Sequence, residues 1–448
     1  MHQHTAPLAT ITTTSSPRHA VMRKVSRRLL GFLFLCFVLS FLDRINIGFA
    51  GLTMMGDLGL SSTQFGLATT LFYIAYIACG IPSNMALARV GARRWIGSLM
   101  IAWGLASTAT LFATDAASLY LLRILVGITE AGFLPGVLLY LTFWFPAAYR
   151  ARANALFMIA MPFTAGFGSA LSGLILSLDG LWGLHGWQWL FLLEGMPSVI
   201  MGFVVFGYLN DTPHQAHWLS AEDKHHLQQA LAADHPPSTR PATDEPASLL
   251  REMLSPTVLM FSLVYFCLVN TLAMIAVWTP LIIKSISAAD SSNSTIGFLA
   301  MIPQVCTIIG MLLWGLHSDR SQERKWHLVL PMLMAAAGWM FTAYAGNPLV
   351  QLCGICMAAT GSYTAMSIFW TTPDQALTFK ARAIGIAVIN AFGNIGSALN
   401  PLVVGWLKDL THSFTAGIVY ATVLLVVGAL LTFLLPLPTS TSKPAHTL

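Results

Sequence analysis

The sequence predicts an all-α membrane protein with twelve transmembrane helices in two pseudo-symmetric six-helix bundles. Three observations predict it. Hydrophobic residues make up 56% of the 448-residue chain and charged residues only 9%, where soluble domains run near ~25% charged; mean hydropathy is +0.69. Apolar stretches able to cross ~30 Å of hydrocarbon as helices recur along the whole chain. Between them, Lys and Arg cluster in every second connection, as loops on one side of a membrane do.

In chain order, residues 1–28 form a tail rich in Thr, Ser and Pro that ends in Arg23, Lys24, Arg27 and Arg28. The tail has no cleavable signal pattern. Spans are expected near 29–51, 65–87, 95–113, 117–141, 153–177 and 187–209, which gives a first bundle over 29–209. Residues 210–255 are a polar linker. In it Ser220-Ala-Glu-Asp223 has capping-box spacing for a short helix to about Leu231, and His235 to Pro246 is a flexible tether. A second bundle over 256–437 holds spans near 257–283, 296–316, 327–346, 348–372, 384–407 and 414–436, and residues 438–448 are a C-terminal tail. The basic side carries Arg89, Arg93 and Arg94, Arg150 and Arg152, Arg320, Arg324 and Lys325, and Lys380 and Arg382, together with both chain ends. Both termini and the linker are therefore expected in the cytoplasm.

The halves share landmarks. Tyr149-Arg150-Ala-Arg152-Ala153 answers Phe379-Lys380-Ala-Arg382-Ala383, and Gly168-Ser-Ala-Leu171 answers Gly396-Ser-Ala-Leu399 at nearly the same offset. A duplicated six-span unit places a ligand at the interface of the halves, near the midplane, with alternating access by rocking.

Composition and motifs also exclude functions. The net charge of +5 is spread over short clusters between apolar runs, which argues against nucleic acid as a partner. The six cysteines lie in apolar segments and suggest neither disulfides nor a metal site; the Cys353-Gly-Ile-Cys356 spacing has no acid or His beside it. No phosphate loop, metalloprotease motif or nucleophilic triad is present, so neither an enzyme nor a nucleotide-driven pump is expected, and no cofactor beyond a proton gradient.

The chemistry concentrates in two apolar segments. Asp43 and Arg44 sit in the first span, Arg123 and Glu130 in the fourth. Ionisable residues are costly in a bilayer and are kept where they face protein or a cavity. Arg123 and Glu130, seven residues apart, share a helix face about 10 Å apart along the axis. An Arg fork matches a carboxylate and stays charged, which makes Arg44 the candidate substrate contact. Asp43 and Glu130 are the candidate proton carriers, and Arg123 is a movable partner for whichever acid is ionised. Glu194, near the end of its span, reads as structural. Tyr73, Tyr76, Met161, Trp370, Asn390 and Asn394 are candidates to line the site, and the apolar Met158, Met161 and Phe163 of the fifth span favour an aromatic over a sugar acid.

Two layers of resemblance refine this reading. The loop Gly315…Asp319-Arg320…Arg324-Lys325 resembles the cytoplasmic signature of the major facilitator superfamily. That resemblance implies the major facilitator fold and makes Arg89, Arg93, Arg94, Asp319, Arg320 and Arg324 gate-bracing residues. The first-half copy departs from it, with Ala88 where an Asp is expected and Asn84 where a Gly is.

Phe41-Leu-Asp43-Arg44-Ile-Asn46-Ile-Gly48, Arg123…Glu130-Ala-Gly132-Phe-Leu-Pro135-Gly136 and Asn210-Asp-Thr-Pro213 resemble the anion:cation symporter family over residues 22–436. Longer strings, Ser40 to Thr53, Phe65 to Tyr73, Ala151 to Pro162 and Gly186 to Gly195, are similar to the bacterial 4-hydroxyphenylacetate permeases. The resemblance implies a monomeric proton symporter in the bacterial inner membrane that imports a small organic carboxylate, with 4-hydroxyphenylacetate as the main expectation. The alternatives are a sugar-acid or dicarboxylate symporter of the tartrate or galactonate kind, and a membrane receptor that senses such an acid.

Overall fold

The computed structural model describes residues 17–234, 255–321, 323–377 and 379–437. The tether from His235 to Pro246 lies outside them, as do the side chains of Asn84, Ala88, Arg152, Met158, Lys380 and Arg382. Twelve described helices are long and apolar enough to cross a membrane: His19–Asp57, Ser62–Leu87, Ala92–Phe112, Ala116–Trp144, Ile159–Leu176, Gly186–Tyr208, Pro256–Ile286, Asn293–Ser321, Lys325–Tyr344, Pro348–Phe369, Gly385–Thr411 and Thr415–Phe433. They are called the first to the twelfth span below. Spans one to six pack on one another, as do spans seven to twelve.

Local sequence explains the ends and breaks. Ser61 caps the second span in a capping box with Gln64, and Asp115 caps the fourth with Ser118. The fourth span is two helices, Ala116–Glu130 and Phe133–Trp144. Pro135 has no N–H for the Ala131 carbonyl four residues back and its ring crowds that carbonyl, so the ladder parts just after Glu130. The first helix begins at Pro17, and its 41 residues reach about 60 Å at ~1.5 Å per residue. The basic segment expected as a tail is thus a rigid extension of the first span. It docks the linker helix Ala221–Asp234, with Lys24 Nζ 2.7 Å from Asp223 Oδ2. The expected capping box is present: the Asp223 N–H donates to Ser220 Oγ at 3.0 Å, and the Ser220 N–H to Asp223 Oδ2 at 3.4 Å.

The halves meet along three helix pairs, one–seven, two–eleven and five–eight. The chain termini share one end of the bundle, and the closest contacts lie towards the other, here the far end. Thr70 Oγ1 donates to the Ala398 carbonyl at 2.6 Å. A Cβ at Gly66 would stand 2.1 Å from the Pro401 oxygen, and one at Gly405 2.3 Å from the Ser62 oxygen. Gly173 and Gly297 bring spans five and eight equally close. Asp409 completes the seal, accepting from the N–H groups of Ser62 and Thr63 at 3.0 and 2.7 Å and from the Thr63 hydroxyl at 2.6 Å. The hydrogen bonds and glycine contacts that join the halves are thus concentrated at the far end.

Candidate functional site

Arg44 and Glu130 are brought together between the first and fourth spans. Glu130 is fully buried and Arg44 nearly so. Arg44 Nη2 and Nε donate to Glu130 Oε1 at 2.5 and 3.0 Å, and Ser40 Oγ, one turn before Arg44, donates to the same oxygen at 3.1 Å. Glu130 Oε2 has no hydrogen-bond partner. The guanidinium also lies over the Tyr76 ring, its Cζ 4.7 Å from the centroid, an arrangement that attracts a desolvated cation.

Arg123 is placed differently from expectation. It is fully buried, none of its three nitrogens has a hydrogen-bond partner, and it pairs with neither acid. Its Cζ stands 5.3 Å from the Phe72 ring, which lies 5.9 Å from Arg44 Cζ, so one ring separates two guanidiniums. The pocket therefore holds two fixed positive charges against one carboxylate, with a set of donors unspent.

Asp43 is not part of this pocket. Successive residues on a helix point about 100° apart, so Asp43 faces spans three and six while Arg44 faces span four. Its carboxylate accepts from Trp103 Nε1 at 3.3 Å, Ser107 Oγ at 2.7 Å and Ser198 Oγ at 2.7 Å. Three donors from spans three and six fill its acceptor positions, and no Arg nitrogen contacts it.

The candidate lining residues divide. Tyr73 and Tyr76 lie on the face of span two that carries Phe72, and Tyr73 packs with Val126 and Ala398, at the junction of the halves. Trp370 ends span ten, edge-on to Tyr265 at 4.9 Å. Asn394 is occupied by Asn390, donating to its carbonyl at 2.8 Å and its side-chain oxygen at 3.2 Å. Met161 touches both apolar cores and packs between them. Phe163 is exposed and stacks on Phe167, on the outer surface of span five. Phe163 therefore does not form the apolar wall expected of span five.

Sequence reading missed several residues. Phe72 divides the guanidiniums, and Ser40 is signalled only by its i, i+4 spacing to Arg44. A small cavity of about 20 Å³ between the halves is lined by Ile45, Ser169, Thr279, Gln304 and Tyr363, among others, room for one water-sized group. The Thr279 hydroxyl and the Gln304 side-chain oxygen are buried without hydrogen-bond partners. In the second half, buried Asn270 donates to the Gly396 carbonyl and the Tyr420 hydroxyl at 3.2 and 2.8 Å and accepts from Asn400 at 2.9 Å.

The residues expected to brace a gate form two unlike clusters at the terminal end. In the second half Arg324 donates to Asp319 at 2.9 Å and to Ser318 Oγ at 2.7 Å, while Arg320 is exposed. In the first half an aspartate from the end of span six, Asp211, meets the loop instead. Its Oδ1 accepts from the Arg93 N–H at 2.8 Å and packs against Gly91, whose φ of +93° favours glycine. Arg89 and Arg94 are exposed beside it. The six cysteines are free, and no group of three or more metal-ligating side chains occurs among the described residues.

Comparison with known proteins gives concordant matches. The profile of the Major Facilitator Superfamily matches residues 33–387 and 289–447. A putative tartrate transporter of Agrobacterium vitis is 41% identical over 93% of this chain and 91% of its own length. The putative metabolite transport protein NicT of Pseudomonas putida is 37% identical over 96% of this chain and 98% of its own. Among solved structures, a bacterial homologue of the human lysosomal transporter Spinster, in an inward-facing and unoccupied conformation, superposes with a TM-score of 0.72 at 18% identity, covering 94% of this chain and 97% of that one.

Proposed function

Because the chain belongs to the Major Facilitator Superfamily and is a membrane transporter rather than an enzyme, we propose that it moves a small hydroxylated dicarboxylate of the tartrate kind together with protons, by alternating access. The observation that carries this reading is the pair of guanidiniums, Arg44 and Arg123, against the single carboxylate of Glu130. When Glu130 takes up a proton, Arg44 is released and two cations face one pocket, the charge complement of a dianion. A planar guanidinium binds a carboxylate through two parallel N–H bonds. The relatives named for tartrate transport support a dicarboxylate over 4-hydroxyphenylacetate. The unpartnered Thr279 and Gln304 suit substrate hydroxyls, and the outward turn of Phe163 removes part of the case for an aromatic acid.

With both termini in the cytoplasm of a bacterium, the Asp409 seal closes the outer side and the site opens inward. Substrate leaves, the proton leaves Glu130, and Arg44 recaptures the carboxylate; the ion pair then stands in for the absent anion while the empty carrier returns. The protein acts as a monomer, and Arg123, unpartnered while Arg44 holds Glu130, gains a carboxylate only when substrate binds. The testing experiment is uptake of labelled tartrate into proteoliposomes with and without an inward proton gradient, for wild type and Glu130→Gln. Wild type is expected to accumulate tartrate only with the gradient, and Glu130→Gln to lose accumulation while retaining tartrate exchange. Preference for 4-hydroxyphenylacetate in competition, or binding with no flux, would overturn the reading in favour of the aromatic acid or of a receptor.

A further inference from the structure

A second buried polar cluster lies behind the Arg44–Glu130 pocket, inside the first bundle, and the transport reading above does not use it. Its centre is Glu194 on span six, only 1% exposed. Ser172 Oγ of span five donates to Glu194 Oε1 at 2.7 Å, and Glu194 Oε2 has no hydrogen-bond partner. Asn46 of span one stands beside this carboxyl, fully buried, with neither its amide nitrogen nor its oxygen hydrogen-bonded. One turn back on the same helix is Asp43, held by Trp103, Ser107 and Ser198. Ser198 lies one turn after Glu194 on span six, so the Asp43 and Glu194 carboxyls sit against the same stretch of that helix, and no Lys or Arg nitrogen bonds to either Glu194 oxygen.

Two carboxylates buried together without a cation between them do not both stay ionised. Each anion costs several kcal/mol to desolvate, and like charges repel strongly at low dielectric. The donors decide which one keeps the proton. Asp43 accepts three hydrogen bonds, which fit an anion. Glu194 accepts one, has a free oxygen, and stands beside the buried Asn46 amide, whose side-chain oxygen has no donor. A protonated Glu194 supplies the missing O–H.

We propose that spans one, five and six enclose a second proton-binding site, separate from Arg44–Glu130, in which Glu194 holds the proton beside ionised Asp43 and Asn46 completes the hydrogen bonding. Asp43, Arg44 and Asn46 share one helical turn, so movement of span one towards substrate at Arg44 also moves two members of the proton site. Loss of the proton sets two anions against each other across spans one and six and favours a shift of span one. The transport role of the site rests on the proton-coupled reading above; the protonation itself does not.

The test has two arms. Infrared spectra of purified protein in detergent are compared for wild type and Glu194→Gln, and a protonated-carboxyl stretching band at neutral pH that the substitution removes is expected. An unchanged band, or none in wild type, overturns the proposal. If Glu194→Gln does not fold, Asp43→Asn decides: with the neighbouring charge gone, the band is expected to vanish at lower pH than in wild type, and no shift overturns the proposal. In proteoliposomes, Glu194→Gln is expected to move one proton fewer per tartrate while exchange persists, and an unchanged ratio refutes the transport role. Wild type that moves no tartrate would sink the transport reading and leave the infrared result standing. Accumulation driven by sodium, with no carboxyl band, would assign the cluster to a metal cation and overturn the proton site.

Discussion

Removal of the Asp409 carboxylate should unlock the far end. Asp409 extends from span eleven to the start of span two, where it accepts two backbone N–H groups and the Thr63 hydroxyl at 2.6–3.0 Å. Those N–H groups belong to the first turn of a helix and have no partner within it. Asp409 is half-exposed, so each bond is discounted to about 1 kcal/mol. The anion at the positive helix end adds about 0.3–1 kcal/mol. Asp409→Ala therefore costs the sealed state roughly 3 kcal/mol, a shift of roughly 100-fold towards the state open at the far end. Asp409→Asn keeps one acceptor oxygen but loses one bond of about 1 kcal/mol and the charge effect of about 0.3–1 kcal/mol, a shift of roughly tenfold to thirtyfold. The assay is the distance distribution between spin labels at Leu58 and Thr411 in a cysteine-free background. A longer-distance population that grows from wild type to Asn to Ala is expected. Identical distributions in all three would show that glycine-mediated packing alone holds the seal, and would refute the reasoning.

Three further outcomes follow from the same geometry. Arg44→Lys keeps the charge but removes the planar fork, so apparent tartrate affinity in the uptake assay should fall about 10–100-fold, one lost charge-assisted hydrogen bond's worth. Asn270→Ala strands the Tyr420 hydroxyl, the Gly396 carbonyl and the Asn400 amide; at ~0.6 kcal/mol per interhelical bond it should cost about 2 kcal/mol, seen as a lower melting temperature in detergent with tartrate exchange retained below that temperature. Burial works to raise the Asp223 carboxyl, but the Lys24 ammonium and the Ser220 hydroxyl outweigh it and hold the group below its usual range. A depressed folded value means that the docking of helix Ala221–Asp234 is stabilised at neutral pH and loses that support as pH falls below about 4. Amide exchange in residues 221–234, corrected for intrinsic rates, should then rise relative to Asp223→Asn, which lacks the dependence.

The sequence by itself determined the number of spans and the two-bundle plan, because apolar length and helix propensity are local properties that the bilayer makes decisive. It also singled out Arg44 and Glu130, which the fold pairs, since two charges deep in apolar helices survive only with partners. Helix periodicity put Arg123 and Glu130 on one face but could not say what that face meets. Tertiary packing gave Glu130 to Arg44 and left Arg123 against Phe72. Adjacency in sequence misled at Asp43 and Arg44: side by side in the chain, they point into different interhelical spaces, one lined by neutral donors and one by a carboxylate. The docking of the span-one extension on the linker helix, the Arg93–Asp211 contact and the closure of the far end by Asp409 all join residues more than a hundred positions apart. The surroundings of Glu194 were hidden for the same reason: a carboxyl in an apolar run reads as structural until the fold sets Ser172 on it and the Asp43–Ser198 bond one turn away.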